Sequence, residues 1–202
     1  MFAENFAHET AEVAESATIA AGSKIWHYAQ IRESAVIGEN CVVGRGAYVG
    51  SGVVIGDNCK IQNYALVYEP ATLGNGVFVG PAVVLTNDRF PRAINPDGTP
   101  KSMDDWLPVG VHIREGASIG ASATCVAPIV IGRWALVGSG SVVVKDVPDF
   151  ALVVGSPARR IGWVGKSGHP LAVDDVDDSL YICPATGENY RQTDQHRLIE
   201  VI

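Results

Sequence analysis

The chain has 202 residues, 47% apolar and only 18% charged, which suits one domain with a full core and a small appendage. Its net charge of −7, with no long basic run, argues against a nucleic-acid or anionic-membrane surface, so an anionic ligand would have to be held by a few placed Arg and Lys. Four cysteines without a close CxxC pair indicate neither a disulfide framework nor a zinc ribbon.

The amino terminus, MFAENFAHETAEVAES, is acidic and lacks the basic-then-apolar order of a signal peptide, and no apolar run approaches a membrane span. A cytoplasmic protein is expected. From Val13 every sixth residue is aliphatic: Val13, Ile19, Ile25, Ile31, Ile37, Val43, Val49, Ile55, Ile61, Val67, Leu73, Val79 and Leu85. Four positions after each anchor the residue is small or Val, as at Ala29, Ala35, Cys41, Ala47 and Cys59, and glycine recurs directly after it at Gly38, Gly44, Gly50, Gly56, Gly74 and Gly80. Each hexad therefore reads as one short strand and one tight corner.

The spacing breaks after Leu85 and is expected to return, in a shifted frame, at Leu107, Ile113, Ile119, Cys125, Ile131, Val137 and Val143, leaving 86–106 as a loop. Because one hexad buries only one aliphatic and one small side chain, coils must stack above and below it as a parallel β-solenoid. Cys41, Cys59 and Cys125 fall on inward positions and read as small core fillers.

With this repeat the chain resembles the hexapeptide-repeat acyltransferases over about residues 7–165. The resemblance implies an all-β fold, a left-handed parallel β-helix with three hexads per coil. In that frame residues 18 apart share an edge: Glu33, Ser51, Glu69 and Asn87 stack, flanked by Arg32, Tyr68 and Thr86 and by Asp88, while His27, Arg45 and Asn63 lie on a neighbouring edge. Insertions on one face of a solenoid mark its binding face.

The stretches KIWHYAQIRE, KIQNYALVYE, VGPAVVLTNDRFPRA and ALVGSGSVVVKDVPDFALVVGSPARRIGWV resemble the nucleotide-linked 3-amino-sugar N-acetyltransferases, most of all the branch acting on UDP-2-acetamido-3-amino-2,3-dideoxyglucuronate. That resemblance implies acetyl-CoA as co-substrate without a metal, a homotrimer with sites between subunits, and a role in surface polysaccharide synthesis. A dTDP-linked 3-amino-deoxysugar is the alternative acceptor, and a non-catalytic trimeric scaffold the alternative from another class.

On this reading Asn87 orients the sugar amine and Asp88 accepts a hydrogen bond or proton beside it, although Asn-Asp is also an ordinary turn pair. His27 is a general base, a nucleotide contact, or a surface residue packed on Trp26. Arg32 is the candidate for the sugar carboxylate, or else pairs with Glu33 or Glu69; Glu33, Tyr68, Glu69 and Arg92 complete the acceptor side, with Lys101 on the same loop. Lys145, Arg159 and Arg160 would meet the CoA phosphates, and Gly138 and Ser139 the pantetheine. A hydroxyl acceptor would call for a histidine, which only His112 could supply, and a metal-dependent relative would need three histidines together.

Residues 166–202 carry the acidic patch DDVDD, read as solvated surface, and then LYICPATGENYRQTDQHRLIEVI, whose alternation and Thr-Gly-Glu-Asn turn predict a β-hairpin cap. Cys183 lies outside the repeat and is a weak signal for metal or catalysis.

Overall fold

The computed structural model describes residues 4–201, so Met1–Ala3 of the acidic amino terminus lie outside the described residues. Every anchor of the six-residue spacing from Val13 to Leu85 ends a two-residue strand. The first coil comprises β1 (Phe6–Ala7), β2 (Glu12–Val13) and β3 (Thr18–Ile19); the second β4 (Lys24–Ile25), β5 (Gln30–Ile31) and β6 (Val36–Ile37); the third β7 (Val42–Val43), β8 (Tyr48–Val49) and β9 (Val54–Ile55). The fourth holds β10 (Lys60–Ile61), β11 (Leu66–Val67) and β12 (Thr72–Leu73), and the fifth β13 (Phe78–Val79), β14 (Val84–Leu85) and, beyond a long excursion, β15 (Val111–Ile113). A sixth coil, β16 (Ser118–Ile119), β17 (Thr124–Cys125) and β18 (Ile129–Ile131), and a partial seventh, β19 (Leu136–Val137) and β20 (Val142–Val143), finish the solenoid.

The strands stack into three parallel sheets, one per side of a triangular, left-handed β-helix. The first face runs β1-β4-β7-β10-β13-β16-β19, the second β2-β5-β8-β11-β14-β17-β20, and the third β3-β6-β9-β12-β15-β18. Backbone groups are satisfied between coils: Trp26 N–H donates to the Val43 carbonyl at 2.9 Å and Gly44 N–H to that of Ile61 at 2.7 Å. Inside, the anchors from Ile25 to Leu85 are all buried, with Ala29, Ala35, Ala47, Ala65 and Ala71 filling the corners. Val13 and Ile19 are only half-buried, since no coil lies below them.

The cysteines of the core serve the ladder. Ser23 Oγ donates to the Gly38 carbonyl (2.7 Å), Cys41 Sγ to that of Gly56 (3.1 Å) and Cys59 Sγ to that of Gly74 (3.1 Å), while Cys41 N–H donates back to Ser23 Oγ at 2.8 Å. These side chains satisfy corner carbonyls inside the coil. Burial pushes the Cys125 thiol up to about 12, which keeps it protonated and unreactive at neutral pH.

The excursion is longer than the spacing suggests. Leu107, expected to restart the repeat, is 83% exposed, and the first anchor after the loop is Ile113, which pairs with Leu73. The reason is a neck: Val109 N–H donates to the Asn87 carbonyl at 3.0 Å, so the strand can begin only after Gly110. Gly110 lies against Pro70, where a Cβ would come 2.8 Å from the Pro70 carbonyl oxygen, and only glycine fits without displacement. Within the excursion Ile94 and Pro100 form an antiparallel bridge, and Ser102 caps a 3₁₀ turn at Met103–Asp105.

At the carboxyl end β21 (Ala151–Gly155) pairs in parallel with β19 and turns back as β22 (Ala158–Trp163). The expected hairpin is in fact a four-stranded antiparallel sheet, β23 (Ala172–Val173), β24 (Leu180–Ile182), β25 (Asn189–Asp194) and β26 (Arg197–Val201), whose β24–β25 turn contains the anticipated Thr-Gly-Glu stretch. It closes the last coil through Tyr190, fully buried with its ring 5.3 Å from Phe150. The Tyr190 hydroxyl accepts from Lys166 N–H at 3.1 Å, and burial pushes its pKa up to about 12. Cys183 is buried in this sheet with its sulfur 3.2 Å from Ser167 Oγ.

The acidic patch lies on the surface, with Asp175, Val176 and Asp178 exposed, and two of its carboxylates accept hydrogen bonds. Asp174 Oδ1 accepts from Val176 N–H at 3.0 Å, and Asp177 pairs with Arg191 (2.8 Å) and accepts from Ser179 Oγ (2.6 Å). Hydrogen bonds from Ser179 and Arg191 lower the Asp177 carboxyl from 3.8 to about 2.

Two outcomes follow. Ile61→Ala, at a fully buried anchor, is expected to cost about 3 kcal/mol in a denaturant titration, against less than about 0.5 kcal/mol for Lys60→Ala on the outer side of the same strand. Because the Asp177 pKa is depressed on folding, its contribution is complete above pH 3.8 and fades as pH falls toward 2; Asp177→Asn should flatten acid melting of the cap over that window in a circular-dichroism titration.

Candidate active site

The corner between the second and third faces gathers most of the expected acceptor residues. Arg32 and Glu33 occupy it on the second coil, Gly50 and Ser51 on the third, Tyr68 and Glu69 on the fourth, and Asn87 and Asp88 on the fifth. Coils rise by about 4.8 Å, so Arg32 and Asn87, three coils apart, are separated by about 14 Å along the axis.

At the lower end the charges are mutually satisfied. Arg32 Nη2 lies 3.0 Å from Glu33 Oε1 and Arg32 Nε 3.2 Å from Glu33 Oε2, and Ser51 Oγ donates to Glu33 Oε2 at 3.1 Å. Hydrogen bonds from its own backbone and from Ser51, with Arg32 adding to them, hold the Glu33 carboxyl below its ordinary value. Arg32 is thus a bidentate partner of its neighbour, and a substrate carboxylate would have to displace Glu33.

One coil below the excursion, Glu69 differs. Its Oε2 is buried and has no hydrogen-bond partner among the described residues. It occupies the space a Cβ on Gly50 would take, so glycine on the third coil is what admits this carboxylate to the corner. The rings of Tyr48 and Tyr68 lie 5.1 Å apart beside it, and burial, with the Glu69 charge adding, pushes the Tyr48 hydroxyl pKa upward. Among the described residues the Glu69 Oε2 is the one fully buried side-chain N or O atom without a hydrogen-bond partner, and sequence inspection offered Glu69 only as a binding residue.

Thr86 belongs to the scaffold, its Oγ1 accepting from Ala127 N–H at 3.0 Å. Asn87 is half-buried at the neck, its carbonyl taken by Val109 and its side-chain amide without a partner among the described hydrogen bonds. Asp88 Oδ1 accepts from Phe90 N–H at 2.7 Å, the turn geometry that an Asn-Asp pair favours. Asp88 also lines a cleft of about 430 Å³ with Arg92, Lys101 and Trp106, all on the excursion, so two of the excursion's cations share a cleft with this carboxylate.

The remaining candidates lie elsewhere. His27 is on the corner between the first and second faces, its ring stacked on His8 at 3.5 Å and parallel to Trp26 at 6.2 Å. His112 projects from the third face, bonded through Nδ1 to Thr72 Oγ1 at 2.8 Å. Gly138 and Ser139 share the His27 corner, and a Cβ at Gly138 would stand 2.7 Å from Val154 Cγ1, so this glycine admits β21. Among the described residues no three His, Cys, Asp or Glu side chains lie together as metal ligands would.

Lys145, Arg159 and Arg160 do meet, in a cleft of about 390 Å³ floored by Val143, Val147 and Val153. The Arg160 guanidinium stands 4.0 Å over the Trp163 ring. His196, from the turn between β25 and β26, lines the same cleft; nothing in the six-residue spacing could place it there, because it lies outside the repeat.

Models of the bacterial transferase hexapeptide (six repeats) match residues 16–51 and 52–87, and one of the hexapeptide repeat of succinyl-transferase matches 110–145. The chain is 42% identical over 82 residues to a dTDP-3-amino-3,6-dideoxy-α-D-galactopyranose 3-N-acetyltransferase of Aneurinibacillus thermoaerophilus, covering 41% of each chain. It is 41% identical over 85 residues to serine acetyltransferase of Escherichia coli K12, covering 42% of this chain and 30% of that one. The matched stretch thus spans less than half the length of either relative. Among solved structures, a hexapeptide-repeat acetyltransferase of Vibrio cholerae complexed with acetyl-CoA aligns over 65% of this chain and 72% of its own, at TM-score 0.52 and 22% identity. A hexapeptide transferase family protein of Anaplasma phagocytophilum aligns over 81% and 85%, at TM-score 0.50 and 16% identity. These two likenesses concern the fold, which the coil geometry already displays. The repeat models interrupt their match where the chain leaves the coil, and with the three-sided stacking they identify the chain as a hexapeptide-repeat, left-handed β-helix protein of the bacterial-transferase type.

Proposed function

We propose that the protein is an acetyl-CoA-dependent N-acetyltransferase that acylates the amino group of a nucleotide-linked amino sugar, working as a homotrimer. The observation that carries this reading is the corner at the base of the excursion, where an unpartnered amide, Asn87, stands one coil from an unpartnered carboxylate oxygen of Glu69. An amine is already nucleophilic once it sheds a proton, so a positioned amide and a carboxylate suffice. A hydroxyl acceptor would need an imidazole, and both His27 and His112 face other surfaces.

In this mechanism Asn87 orients the amine. Glu69 or Asp88 takes the proton as nitrogen attacks the thioester carbonyl; the C–N bond forms, the C–S bond breaks, and the thiolate of CoA leaves and is protonated. Asp88 holds Phe90 N–H through Oδ1 while Glu69 Oε2 holds no donor, which favours Glu69 as the acceptor of that proton. Arg92 and Lys101, which share a cleft on the excursion with Asp88, meet the acceptor's diphosphate in this reading. Lys145, Arg159 and Arg160 hold the phosphates of acetyl-CoA. Half-exposed valines on the flat third face, Val36 at 41% and Val54 at 45%, suit packing against a second copy.

The dTDP-linked 3-amino-deoxysugar is favoured over the UDP-linked 3-amino-glucuronate. The relative of Aneurinibacillus supports the former, and Arg32, assigned to the uronate carboxylate, is engaged by Glu33.

An acetyl-transfer assay across dTDP- and UDP-linked 3-amino sugars, with and without a C6 carboxylate, should give the highest kcat/KM with a dTDP-linked sugar lacking the carboxylate; turnover of none of them would sink the reading. Asn87→Ala and Glu69→Gln are each expected to lower kcat about 10- to 100-fold with unchanged melting, and full activity in both would remove this corner from the chemistry.

A further inference from the structure

We propose that the carboxyl-terminal sheet, beyond closing the solenoid, builds part of the donor groove, with the β25–β26 turn supplying His196 as a binding residue for the phosphate-bearing end of CoA. This inference rests on the acetyl-CoA reading above. The cleft of Lys145, Arg159 and Arg160 adjoins a second and larger one of about 500 Å³, the two sharing Asp146, Val147, Pro148 and His196. The second cleft adds Arg114, Arg133 and Arg197 and runs between the last coils and the hairpin. His196 therefore stands where the two clefts meet, beside the hairpin.

The charge balance of the groove favours an anion. Each carboxylate in it is already engaged by the protein: Asp146 Oδ1 accepts from Val130 N–H at 2.8 Å, and Asp194 Oδ1 from His196 N–H at 2.7 Å. Asp149 accepts from Arg133 N–H at 2.7 Å and Nε at 3.1 Å, and lies 3.7 Å from Arg114. Against these three carboxylates the two clefts are lined by Arg114, Arg133, Lys145, Arg159, Arg160 and Arg197, with the His196 imidazole in both, an excess of cations in a chain whose net charge is −7. Its apolar floor, with Val143, Val147, Val153 and Leu198, is suited to a planar ring. A phosphorylated nucleotide has both parts, and 3′-phospho-ADP is that end of CoA. His196 is exposed, so its removal leaves the cap's packing around Tyr190 untouched.

Isothermal titration of the full chain with CoA, 3′-dephospho-CoA and 3′,5′-ADP is the test. The wild-type protein should bind CoA more tightly than dephospho-CoA; His196→Ala should weaken CoA about tenfold, leave dephospho-CoA unchanged, and keep the melting temperature, while His196→Gln, which retains a donor, should recover most of the loss. Wild-type affinity for CoA in His196→Ala, or an equal loss for CoA and dephospho-CoA, would overturn the role of His196 while leaving the acetyl-CoA reading intact. Failure of the wild-type chain to bind CoA at all would overturn both.

Discussion

The backbone hydrogen bond from one coil to the next governs everything else in this molecule. Each corner and each two-residue strand is too short to stand alone, and its N–H and C=O groups find partners on the neighbouring coil, as Gly44 N–H does at the Ile61 carbonyl. A residue may be added only where the added chain can return to the same register. The excursion does so by pinching shut at Asn87 and Val109, after which Thr72 and His112 are neighbours although 40 residues separate them. The neck is thereby a rigid feature on an otherwise uniform edge.

This stacking turns sequence spacing into surface chemistry. One corner receives Arg32, Glu33, Tyr68, Glu69, Asn87 and Asp88, yet they do not remain equivalent there. Glu33 is surrounded by donors from Arg32 and Ser51, whereas Glu69, two coils higher, fills the space left by a glycine and keeps one oxygen without a donor. The difference is one of neighbours, not of residue type. A carboxylate saturated by its own protein is a structural element, whereas a buried oxygen without a donor keeps an unmet hydrogen-bonding capacity.

The open end of a solenoid exposes both unpaired strand edges and the last layer of the core, and the carboxyl-terminal segment answers both. β21 adds to the first face, β22 folds back on it, and Tyr190 with Trp163 seals the interior. Covering that end also lays a hairpin turn beside the basic segment of β22, so a feature required by stability creates a groove that the coils alone would not have.

The six-residue spacing by itself determined the solenoid, its interior and the inward role of Cys41, Cys59 and Cys125, because each of these follows from a period; the column on which Asn87 and Glu69 stand needed in addition the three hexads per coil that the family resemblance implied. It placed Leu107 wrongly, since the neck that delays the return of the repeat is a contact between residues on either side of a loop with no period of its own. The pairing of Arg32 with Glu33, the turn that occupies Asp88, the orphaned oxygen of Glu69 and the arrival of His196 beside Arg159 were decided only by the tertiary structure. Side-chain partners and packing across segments are set by three-dimensional neighbours, and linear spacing carries no record of them once the repeat ends.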